Sequence, residues 1–232
     1  RRDFTVNAMM MDVLSGEIID HWGGLRDLES GVLRHVAADT FPEDALRVFR
    51  AAQFAARFEM RVAPETVELC RGMDVRALTR ERVFEETAKA LLKAKQPSVF
   101  FAVLEEMNHL EEFFPEVAAT RGVPQNPKYH PEGDVYRHTM LVLDQAAALR
   151  HRAVEPLFFM FAALCHDLGK IDSTRMEPDG RITSHMHPAS GRPLAERQLR
   201  RLSDNARLLR YVDDMVGNHM RPNAMAMCQS KK

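Results

Sequence analysis

The chain has 232 residues, enough for one large domain or two small domains with hydrophobic cores of their own. Hydrophobic residues make up 45% of it and charged residues 28%, which is the balance of an ordinary soluble globular protein. The formal net charge of -1 excludes a global field that would draw the chain to nucleic acid or to a membrane, so any RNA binding would depend on local basic patches.

The cysteines are few and lie far apart in the sequence, at Cys70, Cys165 and Cys228. They form no CxxC pair, so neither a zinc–cysteine site nor a redox motif is indicated. An odd, scattered set is typical of a reducing compartment, and we expect a cytoplasmic protein. No run of about 18 apolar residues occurs, so we expect no membrane partner.

The N-terminal residues predict a small mixed α/β unit, residues 1–36. Residues 7–20 have the pattern of a strand, a turn and a returning strand. A short helix at residues 25–29 and a strand at residues 32–36 follow. Because so small a unit cannot close a sheet alone, we expect it to expose an apolar face and to favour aggregation or a homodimer.

From residue 41 onward the pattern is almost wholly helical, so the predicted fold class is mainly α. A loop rich in Pro, Asn and Gly, residues 122–133, separates a helical neck and body, residues 37–122, from a helical third domain, residues 123–232. Residues 172–187 are polar and turn-rich. Pro42 is predicted to stand at the first position of a helix on which Leu46, Phe49, Ala52 and Ala56 recur. The later predicted helices are residues 64–71, 79–94, 97–107, 135–149, 155–168, 188–202 and 205–219.

The first motif with chemical potential is RRDFTVNAM, residues 1–9. Two adjacent arginines, Arg1 and Arg2, suit phosphate because each guanidinium is a planar fork of donors. Asp3 and Asn7 add an acceptor and an amide that can orient those arginines or touch a ribose. The alternative is a charged chain end before a strand, and the bare residues favour it because arginine pairs are common on surfaces.

The second motif is EDALRVFR, residues 43–50. Asp44 and Arg47 are spaced i,i+3, which predicts neighbours on one helix surface that imitate the hydrogen-bonding edge of a base. Arg50 continues the same stripe and can reach a phosphate. The alternative is an exposed salt bridge worth roughly 0.3–0.5 kcal/mol, and spacing alone favours that alternative.

The third motif is His166-Asp167, at the end of a strongly apolar helix that stops at Gly169. Burying a histidine and an aspartate there is costly without a partner, and a metal ion is the simplest partner. Imidazole with carboxylate suits a divalent transition metal, whereas carboxylate with water suits magnesium or manganese. Further imidazoles come from His138, His185, His187 and His219.

Two histidines compete for one ligand position in this cluster. We prefer His187 over His185, because the sequence His-Pro-Ala-Ser-Gly starts a helix and would fix the imidazole of His187. His130 precedes Pro131 and is interpreted as loop structure.

In this order the motifs resemble the class II tRNA nucleotidyltransferase and poly(A) polymerase family. RRDFTVNAM matches the family's RRDxTxNAM segment, and the EDALR segment matches its EDxxR neck helix. Residues 78–86, LTRERVFEE, resemble the neck segment that follows, and residues 130–219 resemble the HD domain of the longer bacterial members. The resemblance covers essentially the whole chain.

The resemblance implies CCA addition to tRNA, with CTP and ATP as substrates. It implies that Arg2 binds the triphosphate, that Asp44 and Arg47 pair with the base edge, and that Arg50 assists with phosphate. Gln53 stands where the family often has an arginine, which weakens one expected contact. Glu81 and Arg82 are expected to brace the neck. The expected nucleotide-binding residues are Arg2, Asp3, Asn7, Asp44, Arg47 and Arg50.

The family's head begins with a GGxVRD segment and a DxD pair that binds two Mg²⁺ ions, and this chain contains neither. Without those carboxylates the two-metal transfer of a nucleotide has no catalytic centre. We therefore expect a fragment that lacks the first part of the head and that transfers no nucleotides by itself.

The resemblance implies metal-dependent hydrolysis of phosphate esters by the HD domain, as a phosphatase or 2′,3′-cyclic phosphodiesterase. Lys170 is the expected catalytic residue, because it can stabilise phosphate charge, and the metal is Ni²⁺, Mn²⁺ or Mg²⁺. The alternatives are a stand-alone HD phosphohydrolase, a poly(A) polymerase of the same family and a non-catalytic RNA-binding module. The expected metal ligands are His138, His166, Asp167, His187 and His219.

Overall fold

The computed structural model describes residues 2–222 and Met225, so Arg1 and Cys228 lie outside the described residues. The chain forms two compact units, Arg1–Glu112 and Phe113–Lys232. The division of the sequence into three domains at residues 36 and 122 stays a prediction. Among the described residues, no helix combines the length and the apolar character needed to cross a bilayer.

The mainly helical fold class is confirmed. The first unit contains 3₁₀ helices at Thr5–Asn7 and Phe41–Glu43. Its α-helices are α1 Gly24–Glu29, α2 Leu46–Phe58, α3 Pro64–Arg71, α4 Arg80–Lys93 and α5 Ser98–Glu106, and α6 Leu110–Phe113 lies at the division between the units.

The core of the first unit is formed by α2, which packs on both α4 and α5. The buried side of α2 is rich in alanine, whose small side chain lets the neighbouring helices approach closely. Phe49 is fully buried there, and its ring centroid lies 6.5 Å from that of Phe100 on α5. This packing fixes the face of α2 that carries Arg47 and Arg50.

The strands of the first unit are only two residues long. Strands β1 Met10–Met11 and β2 Ile18–Ile19 form the expected antiparallel hairpin. Strand β3 Val32–Leu33 pairs in parallel with β4 Arg61–Val62, a strand too short to show any periodic pattern in the sequence. An apolar exposed face was expected in this region, and the exposed apolar side chains here include Met10, Met11, Val13, Leu14, Ile18 and Trp22.

The second unit is a helical bundle with one small hairpin. Its elements are α7 Pro115–Ala118, α8 Val135–Leu149, a 3₁₀ helix Arg150–Arg152, α9 Pro156–Cys165, α10 Lys170–Ser173, β5 Thr174–Met176, β6 Ile182–Ser184, α11 His187–Arg200 and α12 Ala206–Asn218. α9 packs on α8 and α12, and α12 packs on α11. Residues 172–187, interpreted as polar and turn-rich, in fact contain the antiparallel pair β5–β6.

The helix starts agree with local capping chemistry. Asp134 precedes α8 and accepts a hydrogen bond from the Arg137 N–H, and Asn205 caps α12 through two backbone N–H groups. Thr79 occupies the N-cap position of α4 as expected, although its side chain makes no capping hydrogen bond. The predicted bounds of α3 and α8 agree with the structure to the residue.

Gly169 allows the end of the His166-Asp167 segment to touch the start of α11. A Cβ atom added to Gly169 would lie 2.0 Å from the carbonyl oxygen of His187 and 2.5 Å from the backbone nitrogen of Gly191. Since both neighbours are backbone atoms, no side chain can move away to make room. Only glycine fits at this crossing.

We predict that Gly169→Ala lowers the free energy of unfolding by about 1–3 kcal/mol, because α11 must shift to accommodate the methyl group. Urea denaturation followed by circular dichroism measures the change. Gly72→Ala is the matched control, since its added Cβ would lie 3.6 Å from the nearest atom, an ordinary contact. Equal unfolding free energies for the two variants would contradict the prediction.

Candidate nucleotide and metal sites

The candidate nucleotide site, in the first unit, is built on the buried carboxylate of Asp3. Arg50 Nε lies 2.5 Å from Asp3 Oδ2, and Asn7 Nδ2 donates to Asp3 Oδ1 at 2.7 Å. Asp3 and Asn7 were expected to orient the N-terminal arginines or to touch a ribose; in the structure Asp3 orients Arg50, and Asn7 supports Asp3. The first two motifs, with Asp3 and Arg50 separated by 47 residues, therefore meet at one ion pair.

Arg50 lies between two carboxylates. Its Nη1 is 3.9 Å from Oε1 of Glu86, which is buried on α4 and also pairs with Lys89 at 2.8 Å. Burial raises the pKa of Asp3, but hydrogen bonds from Arg50 and Asn7 outweigh that effect and hold the pKa below its ordinary value of 3.8. The pair is thus charged at neutral pH, and the direction of the Arg50 guanidinium is fixed.

Asp44 does not lie on the helix surface beside Arg47, so that part of the prediction is wrong. The backbone of Asp44 is extended, with φ -134° and ψ 102°, and α2 begins two residues later. Asp44 Oδ1 accepts the Leu46 N–H at 3.1 Å, the usual role of aspartate ahead of a helix. Both Asp44 oxygens lie 3.0 Å from Nη2 of Arg82, which was expected only to brace the neck.

Arg47 is on the first turn of α2 and bonds the backbone. Its Nη1 donates to the carbonyl oxygens of Thr40 at 2.6 Å and Phe41 at 3.0 Å. The spacing had suggested a salt bridge between Asp44 and Arg47. In the structure Asp44 pairs with Arg82, and Arg47 donates to backbone carbonyl oxygens. Arg2 is exposed at the start of the described chain. The nucleotide-binding roles of these residues stay predictions.

The candidate metal site, in the second unit, centres on the carboxylate of Asp167, whose side chain is 3% exposed. Four imidazole Nε2 atoms surround it, and the structure thereby brings together all five predicted metal ligands. The distances from Nε2 to the nearer carboxylate oxygen are 3.1 Å for His166, 3.3 Å for His187, 3.5 Å for His138 and 3.6 Å for His219.

Each of these histidines has its Nδ1 atom occupied by an acceptor. In three of them the acceptor is the backbone carbonyl three residues earlier, at 2.8 Å: His166 to Ala163, His187 to Ser184 and His219 to Val216. A proton on Nδ1 leaves the lone pair on Nε2, which is the arrangement of a metal-ligating histidine. The donor set therefore suits a divalent cation, and its binding of one stays a prediction.

The electrostatics agree with neutral imidazoles around an ionised carboxylate. Burial lowers the pKa of both His138 and His187, and neutral imidazole is the form that binds a metal. Burial raises the pKa of Asp167, but the surrounding imidazoles and the ammonium of Lys170 outweigh it and lower the pKa.

A cavity of about 610 Å³ opens onto this cluster. Lys170, the predicted catalytic residue, lines it and is buried, with Nζ 2.8 Å from Asp167 Oδ2 and 2.7 Å from Gln125 Oε1. The preferred His187 belongs to the cluster, whereas His185 only lines the cavity. Other lining residues include Asn126, Tyr129, Arg181, Thr183 and Ser184.

Two residues beside the cluster had no predicted role. Glu132 Oε1 lies 2.6 Å from His138 Nδ1 and 3.0 Å from Nδ1 of His130, which was interpreted as loop structure. Burial raises the pKa of Glu132, but hydrogen bonds from its own backbone N–H and from both imidazoles lower it to about 2. In the sequence, only the position of Glu132 and His130 just ahead of the helix that carries His138 pointed to such a role.

Comparison with known proteins identifies the class of the chain. Residues 1–34 match the Poly A polymerase head domain, and residues 59–120 match the probable RNA and SrmB-binding site of polymerase A. The chain belongs to the family of tRNA nucleotidyltransferases and poly(A) polymerases.

Within that family the chain is similar to multifunctional CCA proteins. The one from Hahella chejuensis is 47% identical over 177 residues, covering 73% of this chain and 40% of that protein. The one from Pasteurella multocida is 48% identical over 178 residues, covering 73% and 42%. The matched length exceeds either compact unit, so it runs through parts of both. The chain spans about two fifths of the length of these curated relatives.

Solved structures share the fold. The Thermotoga maritima CCA-adding enzyme complexed with tRNA_CCA matches with a TM-score of 0.61 and 21% identity, over 98% of this chain and 48% of that one. A CCA-adding enzyme in apo form I matches with a TM-score of 0.64 and 20% identity, over 100% and 48%.

We predict that Asp3→Asn lowers the free energy of unfolding at pH 7 by roughly 1.5–3 kcal/mol, the range for a hydrogen bond to a charged group. Because the pKa of Asp3 is lowered by folding, its contribution is complete above the unfolded pKa and is lost as pH falls through the folded pKa. The difference between wild type and variant should therefore narrow below about pH 4.

Urea denaturation between pH 3 and pH 7 measures this difference. Asp39→Asn, at an exposed aspartate close in sequence, is the control and should change stability by less than about 0.5 kcal/mol. A difference for Asp3→Asn that stays constant across that pH range would show that ionisation of Asp3 is not responsible.

Proposed function

We propose that this chain takes part in CCA addition to tRNA, with CTP and ATP as its nucleotides. The observation that carries the proposal is the ion pair between Asp3 and Arg50, which joins the RRDxTxNAM and EDxxR motifs in one place. Relatives named multifunctional CCA proteins, at 47% and 48% identity, support the same function. In the family, a DxD pair of carboxylates would bind the two Mg²⁺ ions that nucleotide transfer requires. This sequence does not contain that pair.

The base would be selected by hydrogen bonding to Asp44 and Arg47. A carboxylate accepts from the amino group of cytosine or adenine, and a guanidinium donates to the neighbouring ring nitrogen. Uracil and guanine present the opposite pattern. Asp44 is partly exposed but already bonded by Arg82, so the base shares or replaces that contact. Arg50, aligned by Asp3, and Arg2 supply positive charge for the triphosphate.

We predict that the 232-residue chain binds CTP and ATP more tightly than UTP and GTP. Asp44→Ala should weaken CTP binding roughly 10- to 100-fold, the equivalent of one hydrogen bond to a charged group. Equilibrium dialysis with labelled nucleotides measures both effects, and Asp39→Ala serves as the control at a nearby exposed aspartate. Unchanged CTP binding by Asp44→Ala, or binding of UTP as tight as that of CTP, would contradict the proposed base selection.

A second candidate function is favoured by the cluster around Asp167: metal-dependent hydrolysis of phosphate esters in the second unit. His138, His166, Asp167, His187 and His219 would hold a divalent cation such as Ni²⁺, Mn²⁺ or Mg²⁺. When bound, such a cation supplies Lewis acidity toward a phosphate oxygen.

The chain's own residues would bind and orient the phosphate ester in the cavity. Lys170 carries an ammonium at the cavity wall, held by Asp167 and Gln125, and would stabilise charge on the phosphate. Arg181 lines the same cavity and is paired with Asp179 at 2.6 Å. The cavity is large enough for a nucleotide-sized ester, which fits a phosphatase or 2′,3′-cyclic phosphodiesterase.

We predict that the chain hydrolyses bis-p-nitrophenyl phosphate when Mn²⁺ or Ni²⁺ is added, and that EDTA stops the reaction. His166→Ala should abolish both hydrolysis and tight metal binding, because it removes one imidazole facing Asp167. His151→Ala, at an exposed histidine, is the control and should leave both unchanged. Metal-independent hydrolysis, or full activity in His166→Ala, would exclude this second function.

A further inference from the structure

We propose that Glu132 is a positioning residue for the candidate metal site, because it fixes the tautomer of His138 and so directs the His138 Nε2 lone pair at the site. The inference rests on the proposed hydrolytic function of the second unit. Glu132 lies in the loop before α8, outside the set of residues that face Asp167.

Three of the four histidines share one contact at Nδ1. His166, His187 and His219 each donate from Nδ1 to the carbonyl oxygen three residues earlier. The corresponding contact of His138 is different, since its Nδ1 lies 2.6 Å from the carboxylate of Glu132. Glu132 thus does for His138 what the backbone does for the other three.

A carboxylate differs from a carbonyl because it carries a full negative charge. A carboxylate that accepts from a ligating imidazole both orients the ring and raises the basicity of the other nitrogen, and its loss typically costs 10- to 100-fold in metal affinity. His138 Nε2 lies 3.5 Å from Asp167 Oδ2, so the ring connects Glu132 on one side with the centre of the cluster on the other.

The loop holds Glu132 in place by its own bonds. Gly133 has φ +116°, a conformation that favours glycine and turns the chain between Glu132 and the cap of α8. Asp134 then accepts from the backbone N–H groups of Arg137 and Gly122. His130 donates to the same Glu132 oxygen at 3.0 Å, and its ring centroid lies 4.7 Å from that of His138.

The rival role for Glu132 is that of a direct ligand, with His130 and His138, of a second ion. Spacing argues against it. Two ligand atoms about 2.1 Å from one metal at a tetrahedral angle lie roughly 3.4 Å apart. The 2.6 Å between Glu132 and His138 is a hydrogen-bond distance and is too short for that, whereas the 3.0 to 3.6 Å separations around Asp167 agree with it.

Two variants of Glu132 separate charge, hydrogen bonding and folding. Glu132→Leu removes the acceptor, whereas Glu132→Gln keeps a neutral acceptor oxygen. In calorimetric titrations with Mn²⁺ alone, we expect wild type to bind one ion, Glu132→Leu to bind it 10- to 100-fold more weakly, and Glu132→Gln to fall between them. Glu196→Leu, at an exposed glutamate on α11, is the matched control and should bind as wild type does.

A second measurement reads the tautomer directly. In ¹⁵N NMR spectra of the metal-free chain, His138 should carry its proton on Nδ1 in wild type, and this preference should be lost in Glu132→Leu while His166 keeps its own. A purely structural role for Glu132 would not change the tautomer of one histidine alone.

Several outcomes would overturn the inference, and they are distinguishable from failure of the proposed function. If wild type binds no Mn²⁺, the metal site fails and the inference fails with it. If wild type binds one ion and Glu132→Leu binds it equally tightly, only the role of Glu132 is wrong. If wild type binds two ions and Glu132→Leu loses one, Glu132 is a direct ligand instead.

Discussion

The second unit depends on the burial of one carboxylate. Asp167 follows α9, a helix that is apolar on nearly all sides, and its side chain is almost wholly removed from water. An isolated carboxylate in such a place would be protonated or would destabilise the fold. It is instead surrounded by four imidazoles and one ammonium contributed by the segments around α8 to α12. Apolar packing brings these helices together, and the side chains around Asp167 provide the partners that its burial requires.

The same constraint has a smaller counterpart in the first unit. Asp3 is buried against α2 and paired with Arg50, and Glu86 lies on the far side of the same guanidinium. The network leaves Arg50 with a fixed direction before any ligand is present. Preorganisation of this kind reduces the entropy lost on binding, which is what the proposed triphosphate site would require. In both units a buried carboxylate thus fixes the direction of cationic or imidazole side chains around it.

Much of this was available from the sequence, for identifiable reasons. The helices α3 and α8 were predicted to the residue; in the structure Pro64 is the first residue of α3, and Asp134 caps α8. His166 and Asp167 were recognisable because two polar side chains ended an apolar run. The other histidines were then chosen because imidazole is a common metal ligand. The helix position of Asp44 was predicted wrongly, because spacing along the chain does not show that its backbone is extended and that its carboxylate accepts the Leu46 N–H ahead of α2. Glu132 left almost no signal in the sequence, since its contact with His138 is created only by the folded loop.

The central claim is that four histidines with Nδ1 engaged, together with Asp167, form one cation site. Crystals grown with MnCl₂ and measured near the manganese absorption edge test it most directly. The account predicts a single anomalous peak in the cavity, within bonding distance of Asp167 and of Nε2 atoms of the surrounding imidazoles. An empty cavity at saturating Mn²⁺, or an ion bound through the Nδ1 atoms, would contradict it.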